Sequence, residues 1–145
     1  MESIYKILEE NRGKVIYFDF WATTCPPCLA EMEPLKKLRS QYSTKDLIIY
    51  SICSGGNDTK KQWELCLDKY SMKNHDIECV YAADYIGLEN YQKITKQFKI
   101  NRLPYYILIN RKGQIIDYGT AARPSNPNLL LRIEEIVKQL SLIPI

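Results

Sequence analysis

Apolar residues follow two rhythms along the chain. Between Glu2 and Glu10, Ile4, Tyr5, Ile7 and Leu8 recur at the spacing of one helix face. Asn11-Arg12-Gly13 ends that segment, with Gly13 as the turn residue. From Lys14 to Phe20 the pattern changes. Val15 to Phe20 is apolar on both alternating faces except at Asp19, which predicts a central parallel strand covered by helices on both sides. Helical spacing returns from Cys28 to about Tyr42, with Leu29, Met32, Leu35, Leu38 and Tyr42 as its buried stripe. Pro26 and Pro27 fix the first turn, where a missing N–H does least harm. Pro34 predicts a kink.

The alternation continues downstream. Leu47–Cys53 reads as a second buried strand, and Ser54-Gly55-Gly56-Asn57-Asp58 as a loop. Asp58 or Thr59 is placed to cap a helix running to about Tyr70. Residues 77–82 form a short strand, and Leu88–Phe98 a helix with Tyr91, Ile94 and Phe98 on one side. Arg102-Leu103-Pro104 leads into a strand at Tyr105–Ile109, and Lys112-Gly113 turns it into another at Gln114–Tyr118. Asn126 caps and Pro127 starts the last helix, whose inward residues are Ile133, Ile136, Val137 and Leu140. Strands alternating with helices define an α/β fold, and no internal repeat interrupts it.

Composition narrows this little. The 145 residues suit one domain, residues 1–145, with a sizeable core. A net charge of +3, from 20 basic and 17 acidic residues, is too balanced to imply nucleic acid or an anionic membrane as partner. No apolar run approaches the ~20 residues that span a bilayer. Met1-Glu2-Ser3-Ile4 has neither the basic nor the apolar region of a signal peptide. That leaves a cytoplasmic chain, or one whose exporting segment has been removed. Five cysteines leave at least one without an intramolecular partner.

Two of them carry chemistry. Cys25 and Cys28 sit where the first strand hands over to a helix. A helix start favours an anion, and this setting lowers a cysteine pKa from ~8.5 to roughly 3.5–7.5. Cys28, one turn on, is placed to attack a mixed disulfide at Cys25, so the pair cycles between dithiol and disulfide. A bare C-x-x-C also suits zinc. Zinc wants four ligands, and His75, Cys53, Cys66 and Cys79 are too scattered to complete a set, so no metal is expected.

The longer string Phe18-Asp19-Phe20-Trp21-Ala22-x-x-Cys25-x-x-Cys28 resembles the active-site segment of the thioredoxin superfamily. With Gly13-Lys14-Val15 before it and Glu31-Met32 after, it is most similar to the extracytoplasmic TlpA/ResA-type thiol-disulfide oxidoreductases. The resemblance implies a thioredoxin-like fold, with a central mixed sheet flanked by helices on both faces. It also implies an extra helix and strand between Ser54 and Asn90. It implies reduction of protein disulfides without a cofactor, by a monomer outside the cytoplasm, recycled by a redox partner that is often membrane-bound. A disulfide oxidase or isomerase, or a binding module that keeps the fold without catalysis, are the alternatives.

The same resemblance assigns roles. Asp19 would be the general base that deprotonates Cys28; otherwise it bonds a lysine or water. Pro104 would be cis and face the cysteines, with Leu103 offering its backbone to substrate. Relatives carry Gly two residues before this proline and Thr after it. Here Arg102 places a charge at the rim and Tyr105 narrows the cleft. Trp21 either offers substrate an apolar platform or packs in the core. Pro26 and Pro27 meet the substrate and have no N–H for the Cys25 sulfur, which leans towards a reductant. Thioredoxins tend to kink five residues after the second cysteine, whereas Pro34 is six after Cys28. Cys53, Cys66 and Cys79 read as buried hydrophobes. A Cys66–Cys79 disulfide and a third redox thiol at Cys53 are the other options. Lys36-Lys37, Lys60-Lys61 and Arg111-Lys112 read as solvated charge.

Overall fold

The computed structural model describes residues 4–54 and 59–139. Residues 55–58 of the expected Ser54–Asp58 loop, with the Asp58 cap, and Leu140 lie outside them. The chain runs α1 (Ile4–Glu10), β1 (Val15–Trp21), α2 (Pro26–Ala30), α3 (Met32–Ser40), β2 (Leu47–Cys53) and α4 (Lys60–Lys69). It continues through β3 (Glu78–Tyr81), α5 (Ala82–Tyr85), α6 (Leu88–Gln97), β4 (Tyr105–Ile109), β5 (Ile115–Gly119) and α7 (Pro127–Lys138).

The five strands form one sheet in the order β3-β2-β1-β4-β5. β1 pairs parallel with β2 and antiparallel with β4. The apolar run therefore reported burial on both faces, not parallel pairing on both edges. All seven residues of β1 are buried. On one face Tyr17 and Trp21 pack with Leu35 and Leu38 of α3, Leu67 of α4 and Ile133 of α7. On the other, Phe18 and Phe20 pack with Ile4 and Ile7 of α1 and Tyr91 and Ile94 of α6.

Pro34 does more than kink the helix after the cysteines. It has no N–H, and its ring would meet the Ala30 carbonyl one turn back. The helix stops at Ala30 and restarts at Met32, with Pro34 in the first turn of α3, where no donor is missed. Met32, Leu35 and Leu38 are buried, whereas Leu29 and Tyr42 are half-buried. The insertion supplies α4 and the edge strand β3. Thr59 caps α4 in a reciprocal box with Gln62. The four-residue α5 was not foreseen.

Two of the charge runs each bury one member. Arg111 is 6% exposed and donates to the carbonyls of Gly13 (3.0 Å) and Val137 (2.8 Å) and to Asp46 Oδ1 (3.0 Å). It ties the entries of β1 and β2 to the end of α7. Lys36 Nζ, 11% exposed, donates to the Tyr70 carbonyl at 2.7 Å and joins α3 to the end of α4. Lys60, exposed, pairs with Asp84. Lys37, Lys61 and Lys112 face water as expected. Arg111→Ala leaves three acceptors without their shared donor and is expected to cost about 2 kcal/mol. Urea unfolding checks this: the midpoint falls with the slope unchanged, and Arg111→Lys recovers only part of the loss, since one ammonium cannot span three acceptors.

Candidate active site

β1 delivers Cys25 to the start of α2. Cys25 is the N-cap, with extended backbone, and Pro26 and Pro27 fill the first two helical positions. Cys25 and Cys28 are joined as a disulfide, with Cα atoms 5.2 Å apart. Neither proline has an amide hydrogen, so Cys28 brings the first N–H of the helix, and it donates to Cys25 Sγ at 3.3 Å. The two sulfurs differ in access. Cys25 is half-buried, whereas Cys28 is 4% exposed and belongs to the core beneath α2 and α3.

Across from this turn, Leu103-Pro104 is a cis peptide. Pro104 is buried and Leu103 half-buried. Both line a groove of about 400 Å³ with Pro27, Glu31, Arg102 and Arg123. A larger concavity of about 540 Å³ lies beside Arg111 and Arg132, away from the helix that carries the cysteines. Glu31 occupies the break between α2 and α3. Ser125 donates to both its carboxylate oxygens, by N–H at 2.9 Å and by hydroxyl at 2.7 Å. The Tyr17 hydroxyl bonds the Ala122 carbonyl at 2.6 Å, and Asn126 bonds that of Ala121 at 2.7 Å. The turn that carries Arg123 is therefore fixed to the helix break and to β1.

Asp19 lies mid-strand and is 6% exposed. Ser51, opposite it on β2, donates its hydroxyl to Oδ2 at 3.1 Å. A hydroxyl, not a lysine, is its partner. Burial pushes the Asp19 carboxyl up, and the Glu31 charge adds to this against the Ser51 bond, leaving it at about 7. Strand alternation sets Asp19 on the face of Tyr17 and Trp21, which is the face that packs against Cys28. Tyr106 lies opposite Asp19 on β4, and its ring stacks on Tyr17 at 5.7 Å. Burial raises both phenols well above their ordinary range, so an uncharged aromatic pair walls the carboxyl.

Two expectations change. Trp21 is 1% exposed and packs in the core, so it offers no platform; Pro26 and Pro27 are the exposed apolar surface beside the sulfurs. Tyr105 does not narrow the cleft. Alternation turns it to the opposite face, where its hydroxyl bonds the Phe98 carbonyl at 3.1 Å, and Tyr106 faces the cysteine side. Cys66 and Cys79 do not form a disulfide, and Cys53 is a buried thiol at the end of β2. Burial, helped by the Asp19 charge, pushes the Cys79 thiol up to about 12. Arg102 stands exposed at the rim as expected. Sequence reasoning gave no role to Glu31 or Arg123. Ser125-Asn126-Pro127 marks a helix start, but nothing in it says which cleft the preceding arginine lines.

Residues 5–132 match the Redoxin family. The thiol-disulfide oxidoreductase ResA of Halalkalibacterium halodurans is 27% identical over 113 residues, 78% of this chain and 57% of that protein. The thioredoxin-like protein YneN of Bacillus subtilis is 31% identical over 110 residues, 76% of this chain and 58% of that protein. The chain thus spans a little over half the length of these curated relatives. A crystal structure from Bacteroides vulgatus, described as a thiol-disulfide oxidoreductase, superposes with a TM-score of 0.70 at 27% identity. The match covers 89% of this chain and 82% of that one. A solution structure from the same organism, described likewise, gives 0.66 at 33% identity, over 93% and 79%. The chain belongs to the Redoxin family, as a thioredoxin-like domain of the TlpA/ResA type.

Proposed function

We propose that this domain is a thiol-disulfide oxidoreductase that reduces protein disulfides through Cys25 and Cys28. The observation that carries this reading is the inequality of the two sulfurs. The accessible one accepts a backbone N–H, and the buried one supplies that N–H. A hydrogen bond to the charged form favours the thiolate, so Cys25 is the attacking sulfur.

The steps balance as follows. The Cys25 thiolate attacks one sulfur of the substrate disulfide, and the other substrate sulfur leaves as a thiolate that takes a proton from water. Cys28, still a thiol, gives its proton to the Asp19 carboxylate and attacks Cys25 Sγ. The second substrate sulfur leaves and is protonated. Two electrons pass to the substrate, and the Cys25–Cys28 disulfide remains. Pro26, Pro27 and Leu103, with the cis Pro104, flank the attacked bond and hold the substrate chain. No further cofactor is required, because the sulfurs carry the electrons. A dithiol donor must restore the pair, and the likeness to ResA supports an extracytoplasmic setting with a membrane-bound donor. Among the described residues no helix is long and apolar enough to cross a membrane.

Direction of flow is tested by equilibrating the pair with glutathione. With Pro26 and Pro27 withholding donors from Cys25, the potential is expected towards the thioredoxin end, near about −270 mV, and a value near about −120 mV would make it an oxidase. Insulin reduction tests turnover. Cys25→Ser abolishes it, and Cys28→Ser traps a mixed disulfide; no turnover by the native chain would leave a binding module.

Asp19 makes a two-part prediction. If its carboxylate accepts the Cys28 proton, resolution of the mixed disulfide accelerates as pH rises through about 7. In Asp19→Asn that inflection disappears, while alkylation of Cys25 stays comparatively fast; stopped-flow resolution rates across pH check it. Stability should move the other way. The native carboxyl holds its proton to about 7 and the unfolded one only to 3.8. The native state therefore binds more protons between those values, and stability falls as pH rises through them. Asp19→Asn removes that loss, on the order of 4 kcal/mol at pH 8, and changes little at pH 4. Thermal melts of both proteins at the two pH values check it.

A further inference from the structure

The groove beside the cysteines is lopsided in charge. Arg102 enters it from the loop before β4, and Arg123 from the turn before α7. Both are exposed, and among the described residues neither guanidinium forms an ion pair or a side-chain hydrogen bond. One acid lines the same groove, Glu31, and both its oxygens are occupied by Ser125. It holds the turn in place and keeps its charge, so the lining carries two cations against one anion whose oxygens already face Ser125. Arg123 is not on a loose loop. Its own carbonyl accepts the Asn126 N–H at 3.0 Å, and its neighbours are tied to Tyr17 and to Asn126.

Two positive forks, one of them on an anchored turn, beside an apolar floor suit one class of ligand. A guanidinium pairs a carboxylate through two parallel N–H bonds, which a neutral amide or an ammonium group cannot match. The floor, Pro27, Leu103 and Pro104, suits a polypeptide passing the sulfurs. Building on the proposed function, we infer that the groove selects polypeptide disulfides whose cysteine is flanked, within a few residues, by aspartate or glutamate, read by Arg102 and Arg123. Charge of the same sign on the client is repelled at the same two positions. The domain's +3 net charge is modest, so the selection comes from these two side chains and not from the overall field.

Binding reads the groove without the chemistry. The probes are two rhodamine-labelled peptides with a central S-methylated cysteine, one flanked by glutamates and one by lysines. Fluorescence anisotropy with the whole domain is expected to show about tenfold tighter binding of the acidic peptide at low salt, shrinking by about 0.2 M salt. The double variant Arg102→Glu, Arg123→Glu should invert the order, an outcome an unfolded chain cannot give. Equal binding of the two peptides by the native domain overturns the inference, as does an unchanged preference in the double variant. Displacement of the acidic peptide by glutathione disulfide at matching affinity also overturns it, by assigning the groove to the small disulfide. Absent insulin reduction with the peptide preference intact sinks the redox reading and leaves the groove assignment standing.

Discussion

Val15–Trp21 surrenders its exposure to helices on both sides, and the site follows from that burial. A strand so enclosed can keep a carboxyl near neutrality only where water is excluded and a single hydroxyl answers it, which is the position of Asp19. The same strand ends by pointing Cys25 at a helix whose first two residues cannot donate. One edge of β1 gives Ser51, and the other gives Tyr106. Its two faces separate Trp21 and Cys28 from Phe20 and Tyr105. Chemistry and core are thus one packing problem, and the acid is the part of it that resists burial.

Pro34 and Glu31 form a second unit. The proline stops the helix from running through residue 31, and the carboxylate at the break reaches Ser125, far along the chain. One wall of the groove is thus pinned to a break in regular structure. The negative charge at that defect also works on Asp19, so one residue shapes both the surface that meets substrate and the acidity of the buried base.

Much of this was legible in the chain. The strand–turn–helix setting of Cys25 and Cys28 followed from periodicity, and Asp19 stood out because a charge in an apolar run is costly. Strand ends at Leu47–Cys53 and Tyr105–Ile109 agree with the structure because continuous apolar runs bounded by polar turns leave little choice. What failed had a common cause. Position in a motif and side-chain class do not place Tyr105, Trp21 or Arg111: the pleat decides which face the aromatics take, and Arg111 reaches partners 26 to 98 residues away. The resemblance named the cleft; it could not name Arg123, because its place there depends on a tertiary bond made by a neighbour two residues on. Pairing direction at β1 was equally hidden, since burial looks the same for either.

The chain carries more sulfur than its chemistry needs. A thiol held near 12 is ionised at neutral pH in only about one molecule in 100,000, and disulfide exchange proceeds through the ionised form. Cys79 is thus a slow partner for exchange in a protein whose other pair is built to react. Encounters with oxidants or half-reduced clients should then leave this sulfur unscrambled, which lets a redox protein keep a spare cysteine without replacing it.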